Sequence, residues 1–283
     1  MTEILILGLF AASFNLLFGY TGLLSFGHAA YFGTGAYVAA LLLRDMAPPF
    51  LAVLAAAAVG AAVVALVIGW FSVRLTEVYF AMLTLAFGMM VYALVHQWRG
   101  LTGGSDGVAG FPLTAPLPGV AVNIADPVNY YYLTLILVAV SAYVLHRITV
   151  SPFGLILRSL RENSERASFA GVPVRRYRLA AFVVSGLFSG LAGALFAPFN
   201  RIAVPEMAHW TQSAEPVLMT ILGGSQYFFG PFLGAGVFLL LRQWITSYTQ
   251  EWMFFLGVIL AFLVVFLPRG LLGLFDRWLG GRS

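Results

Sequence analysis

Neither cysteine nor lysine occurs among the 283 residues of this chain; all fifteen basic side chains are arginines. Without thiols there is no disulfide and no thiolate metal site. Without a lysine there is no Walker A phosphate loop, no kinase-type phosphate clamp and no Schiff base. The chain on its own is thereby excluded from splitting ATP by the common P-loop route. Charge of any sign is scarce. Only 9% of residues are charged and 61% are hydrophobic, with a mean hydropathy of +0.92, whereas soluble domains carry roughly a quarter charged residues. So few polar side chains cannot cover a water-soluble surface, so the solvent is lipid. The four histidines (His28, His96, His146, His209) are far apart and show no metal-ligand spacing; no metal, cofactor or catalytic residue is expected. A pI near 9.5 does not imply nucleic acid, because the arginines are scattered between apolar stretches, the pattern of a positive-inside topology. Met1-Thr2-Glu3 lacks a basic n-region, so the first apolar run is expected as a retained span rather than a cleaved signal.

A hydrocarbon core of about 30 Å needs roughly 20 apolar residues in a helix. Apolar runs punctuated by Pro, Gly and charge predict spans at about 4–20, 23–43, 50–71, 78–98, 128–147, 178–199, 231–247 and 252–268. The expected fold is an all-α polytopic transmembrane bundle of about eight spanning helices, forming one domain over 1–283. Thr211 to Leu222 is apolar for only about twelve residues, some 18 Å of helix, with Glu215-Pro216 near its start and Gly223-Gly224 at its end. Two readings stand for it: a half-helix dipping to mid-membrane, or a short tilted span.

Arginine sets the orientation. Arg147, Arg158, Arg161, Arg166, Arg175, Arg176 and Arg178 crowd the segment between the fifth and sixth spans, which is therefore expected to be cytoplasmic. Counting crossings outward places Arg74, Arg269, Arg277 and Arg282 on the same side, and Arg44, Arg99, Arg201 and Arg242 opposite. The N-terminus is then outside and the C-terminus inside, provided the short helix and its return count as one crossing. The tail, 269–283, carries Leu271, Leu272, Phe275, Trp278 and Leu279 on one helical face, suited to the membrane surface.

Within the cytoplasmic loop, about 149–177, Ser151-Pro152 reads as N-cap plus N1 proline and Gly171 as a stop. Phe153, Leu157, Leu160, Ser164 and Ala167 make one weakly apolar stripe. Arg158–Glu162, Arg161–Glu165 and Glu162–Arg166 are opposite charges four apart. A short amphipathic helix over 151–170 is expected, either a solvated loop helix or a lever for a partner.

Glu165-Arg166-Ala167-Ser168-Phe169-Ala170-Gly171 resembles the E-A-A-x-x-x-G loop of ABC importer permeases, with Arg in place of the first Ala. The run from Gly22 to Tyr37 (GLLSFGHAAYFGTGAY), the stretch Leu101 to Gly107 (LTGGSDG), Arg161-Glu162-Asn163, and Gly223-Gly224 followed by Gly230-Pro231 are similar to the branched-chain amino acid permease family of LivM/LivH type, nearer to its LivM member. These motifs occur in the family's order over nearly the whole chain. The resemblance implies a heterodimer of two related permeases, two ABC ATPase subunits and a periplasmic substrate-binding protein, in a bacterial inner membrane. It also implies that the cytoplasmic helix is the coupling helix that seats in the ATPase, with Arg161, Glu162, Glu165, Arg166 and Gly171 as coupling residues. Branched-chain amino acids are the implied cargo; related permeases also carry urea, short amides and other amino acids.

Gly22, Gly27, Gly33 and Gly35 permit close helix approach, and Gly33 and Gly35 cannot share one helix face. Packing is the main reading of these glycines, lining a polar path with Ser25, His28 and Thr34 the other; the candidates for a translocation path are Asn15, Ser25, His28, Thr34, Gly223 and Gly224. His28 keeps two readings, a functional group at depth or a structural histidine bonded to a carbonyl, with Asn15 as a possible neighbour. An offset of 201 pairs Gly22, Gly33, Gly35 and Tyr37 with Gly223, Gly234, Gly236 and Phe238, a faint duplication of the kind transporters use. Gly103 to Gly107 lie in the outer loop and read as a turn or docking loop for the binding protein. No carboxylate falls near a span centre, so an ion-coupling site is not evident and the energy is expected from outside the chain.

Overall fold

A computed structural model describes residues 1–46, 48–75, 77–113, 124–248, 254–255, 257–258 and 270–273. The described residues form a helical bundle. Long helices α1 (Thr2–Thr21), α2 (His28–Asp45), α3 (Phe50–Ser72) and α4 (Glu77–Gln97) are followed by a single turn, α5 (Arg99–Thr102). Then come α6 (Pro127–Val150), the short pair α7 (Pro152–Glu162) and α8 (Ser164–Phe169), and α9 (Val174–Asn200). The last described helices are α10 (Trp210–Gly223) and α11 (Gly230–Thr246). Two dipeptide strands, β1 (Val108–Ala109) and β2 (Ile202–Ala203), pair antiparallel.

Five of these helices, α1, α3, α4, α6 and α9, are long and apolar enough to cross a bilayer. The 17-residue α11 falls below that length, and α2 carries His28, Arg44 and Asp45 within only 18 residues. Most of the expected span at 252–268 and most of the tail at 269–283 lie outside the described residues.

The bundle is layered by burial. In α1, 83% of the apolar window is buried, against 22% in α4 and 28% in α6. Polar solvent cannot account for the difference, because the outward faces of α3, α4 and α6 present Val63, Val67, Met82, Met90, Ile136 and Val140. Those faces belong to lipid or to another apolar subunit. α1 and α9 form the centre, with α2, α3, α10 and α11 packed around them. Small residues make the tightest crossing: Gly35 of α2 lies directly on the backbone of Gly190 in α9, and Gly33 faces Ala208 from the other side of α2. The two glycines thus serve opposite faces, as their spacing requires.

Three expectations change. The span expected from residue 23 begins at His28. Residues 22–27 are non-helical and run back into the bundle, since Ser13, eight residues before the end of α1, meets His28; eight residues of helix are about 12 Å. Such backbone is tolerated in a membrane only when buried in protein, and Gly27 packs on the Thr84 carbonyl. Second, Thr211–Leu222, expected with Glu215-Pro216 near its start, lies within a slightly longer, 14-residue α10. α10 starts beside Tyr92, whose ring lies 4.8 Å from that of its cap, His209, and the turn after it reaches Gly19 near the end of α1. A short crossing fits that reach, and Pro216 sits in its middle rather than at its start. Glu215, also inside the helix, holds Gln212 at 2.8 Å and Arg242 of α11 at 3.4 Å. Third, the amphipathic helix expected over 151–170 is two helices.

Candidate functional site

The elbow of α7 and α8 is the first feature. Pro152 opens α7, as its fixed φ favours, although Ser151 turns its hydroxyl to the Ile148 carbonyl (2.7 Å) and does not cap. Asn163 then breaks the helix. Its backbone is extended (φ −161°, ψ 101°), and its Oδ1 accepts the Arg166 N–H at 2.9 Å, so it caps α8. The break carries Arg161 and Glu162 out of helical register with Glu165 and Arg166, so neither expected i,i+4 ion pair across it forms. Arg158–Glu162 does not form either; the Arg158 guanidinium lies over the Tyr20 ring, 5.1 Å from its centroid.

The apolar stripe is present in both pieces. Leu157, Leu160 and Ala167 are buried, and Phe153 stacks on Tyr177 of α9. On the opposite side Glu162, Glu165, Arg166 and Gly171 are exposed. Phe169, 85% exposed, stands clear at the tip. Gly171 has φ +84°, a left-handed turn that glycine takes without strain and that ends the elbow. Arg161 is exposed like these neighbours, but its Nη1 also donates to the Gly19 carbonyl of α1.

The second feature is a hydroxyl-lined seam at the centre. His28 Nε2 lies 3.3 Å from Ser13 Oγ and 3.4 Å from Ser185 Oγ. Its ring is caged by Phe10, Phe14 and Tyr31 at centroid distances of 5.4–5.6 Å. Ser185 donates to the Ser13 carbonyl, Ser213 accepts the Ala29 N–H at 2.8 Å, and Thr220 donates to the Ala11 carbonyl. These bonds tie α1, α2, α9 and α10 together. His28 therefore sits among hydroxyls, and Ser13 rather than Asn15 is its α1 neighbour.

The candidate path residues have different surroundings. Ser25 and His28 are fully buried and Asn15 nearly so. Thr34 turns its hydroxyl to the Ala30 carbonyl. Gly223 and Gly224 close the α10–α11 turn against Gly230. Ser13, Ser185, Ser189 and Ser213 were not among the sequence candidates. The signal for two of them was Ser185 and Ser189 four apart on the small-residue face of α9.

At the Glu3 end of the bundle the loop after α4 is fixed by glycine. Gly103, Gly104, Gly107 and Gly110 all have positive φ, and Gly107 lies on the Ala203 carbonyl beside the β1–β2 pair. No group of three or more His, Asp or Glu side chains suited to a metal exists among the described residues.

A helical bundle with apolar outward faces and a buried polar seam is that of a multi-pass membrane protein. The chain belongs to the family described as branched-chain amino acid transport system, permease component, which matches residues 1–267. It is 30% identical, over 95% of its own length and 67% of the relative's, to the high-affinity branched-chain amino acid transport system permease protein LivM of Escherichia coli (strain K12). It is 25% identical to the corresponding LivH protein of Salmonella typhimurium, over 94% of this chain and 90% of the relative. A probable LivM permease of Methanocaldococcus jannaschii is 22% identical over 87% and 80%. No solved structure matches.

Proposed function

We propose that the chain is the membrane-spanning permease subunit of an ATP-binding cassette importer, moving branched-chain amino acids across a bacterial inner membrane. In this reading it pairs with a second, related permease, receives substrate from a periplasmic binding protein at the Glu3 end, and is driven by two ATPase subunits at the Gly22 end. The C-terminus is cytoplasmic. The observation that carries the reading is the elbow: α7 and α8 bury Leu157, Leu160 and Ala167 in the bundle while presenting Phe169, Glu162, Glu165 and Arg166 outward. Phe169 at the tip of an otherwise charged face offers a partner groove an apolar anchor, with charge around it. Family membership and the absence of lysine support a conduit powered from outside.

The test is reconstitution in liposomes with the partner permease, the ATPases and the binding protein. ATP-dependent uptake of leucine, isoleucine or valine is expected, as is altered ATP hydrolysis when Glu165 or Arg166 is replaced by alanine. Uptake by the purified single chain driven by an ion gradient would instead establish a secondary carrier. Thermal shift of the binding protein against amino acids, urea and short amides decides the cargo.

A further inference from the structure

Resting on that reading, we infer that Arg161 is not a contact for the ATPase but the positioning residue that joins the elbow to α1, so that motion of α7 is delivered to the most buried helix of the bundle. An α-helix leaves its last four carbonyls without intrahelical partners and carries partial negative charge there. α1 has no basic residue in its own last turn. Its chain leaves through Gly22 (φ +76°), whose N–H returns to Leu17, as does that of Leu23. The last four carbonyls of α1 are those of Phe18 to Thr21, and the Arg161 guanidinium takes the Gly19 one from 142 residues away.

Three further contacts make the joint stiff. Arg158 covers the Tyr20 ring, and Tyr20 is itself 5% exposed. Gly22 lies against the Arg161 side chain, where an added Cβ would sit 3.3 Å from Cγ. Leu157 and Leu160, between and beside the two arginines on α7, are buried. Beyond the joint, α1 carries Ser13 and Ala11, which bond to the α2, α9 and α10 side chains of the central seam. A displacement of α7 is thereby transmitted by a charged hydrogen bond and a cation–π contact to the helix that holds the seam together. The outward residues Glu162, Glu165, Arg166 and Phe169 remain available for the partner.

The experiment compares Arg161→Gln, Arg161→Lys and Tyr20→Leu with the unmodified chain in the reconstituted complex, reading ATPase-subunit retention, ATP hydrolysis and uptake separately. Arg161→Gln keeps the ATPase subunits and keeps hydrolysis, but lowers the uptake per ATP by about tenfold, the scale of an ordinary coupling. Arg161→Lys keeps the charge at the α1 terminus and recovers part of it. Tyr20→Leu, a change inside the bundle, uncouples in the same direction; where the Arg161 variants do not fold as permease, this variant alone decides. Loss of ATPase subunits with Arg161→Gln in otherwise intact permease, or a wild-type uptake-to-hydrolysis ratio in Tyr20→Leu, overturns the inference. Absence of ATP-driven uptake in the unmodified complex would refute the importer reading itself, not the joint.

Discussion

Residue by residue, the bundle is governed by how closely backbones approach. A Cβ on Gly35 would fall on backbone atoms of Gly190, and backbone cannot rotate away as a side chain can. Gly35→Ala should therefore cost about 1–3 kcal/mol, the scale of overpacking, as a lower unfolding temperature in detergent. Gly100, which has nothing within 4 Å of a built Cβ, is the control: Gly100→Ala should change stability by no more than about 1 kcal/mol, on the favourable side. His28 offers a second prediction. In a cage of Phe10, Phe14 and Tyr31 its ring fills volume, so His28→Ala should destabilise by about 2–4 kcal/mol through cavity formation. Normal stability with selectively lost uptake would mean instead that the imidazole meets cargo. The glycines were legible because small residues permit close helix approach, and His28 because an ionisable group is rare in an apolar run. Their serine partners were not, because a serine in a helix bonds its own preceding turn as readily as a neighbouring helix.

Among the elements, the short ones carry the surprises. Charges four apart around Asn163 read as one continuous helix, yet an asparagine followed three residues later by a free N–H is also a helix start, and capping won. The elbow has a bend only because that cap holds. Asn163→Ala should cost about 1 kcal/mol at the α8 N-terminus, seen as faster hydrogen exchange at the Arg166 amide with the long helices unchanged. Unchanged exchange would mean that the flanking packing of Ala167, not the cap, fixes α8. The long helices α1, α3, α4, α6 and α9 were legible to within a few residues, since an apolar run of span length leaves the backbone no other way to satisfy itself in lipid. The six residues 22–27 were not, because leaving the helix there depends on partners such as Thr84 that lie elsewhere in the chain. The offset of 201 pairs Gly22, the residue after α1, with Gly223, the last residue of α10.

For the whole molecule, sequence and structure constrain sidedness in different ways. Contacts show which segments share an end without naming the compartment: the β1–β2 pair keeps residues 108 and 202 together, and the Arg161–Gly19 bond keeps the elbow with the end of α1. Arginine distribution names the compartment without proving the pairing, because eleven of the fifteen fall at or beyond the elbow's end by the crossing count. The two combine into one forecast. Because the chain has no cysteine, a single introduced thiol is labelled without background. Phe169→Cys, at the exposed tip, should react with a membrane-impermeant maleimide in inverted vesicles and stay unlabelled in right-side-out ones. Asp106→Cys, in the exposed glycine-rich loop, should do the reverse. Labelling of both from one side would break the bundle's connectivity between α4 and α7. The reversed pattern would leave the fold intact and turn the importer around, placing the elbow where no ATP is available and removing the physical basis for a nucleotide-driven lever.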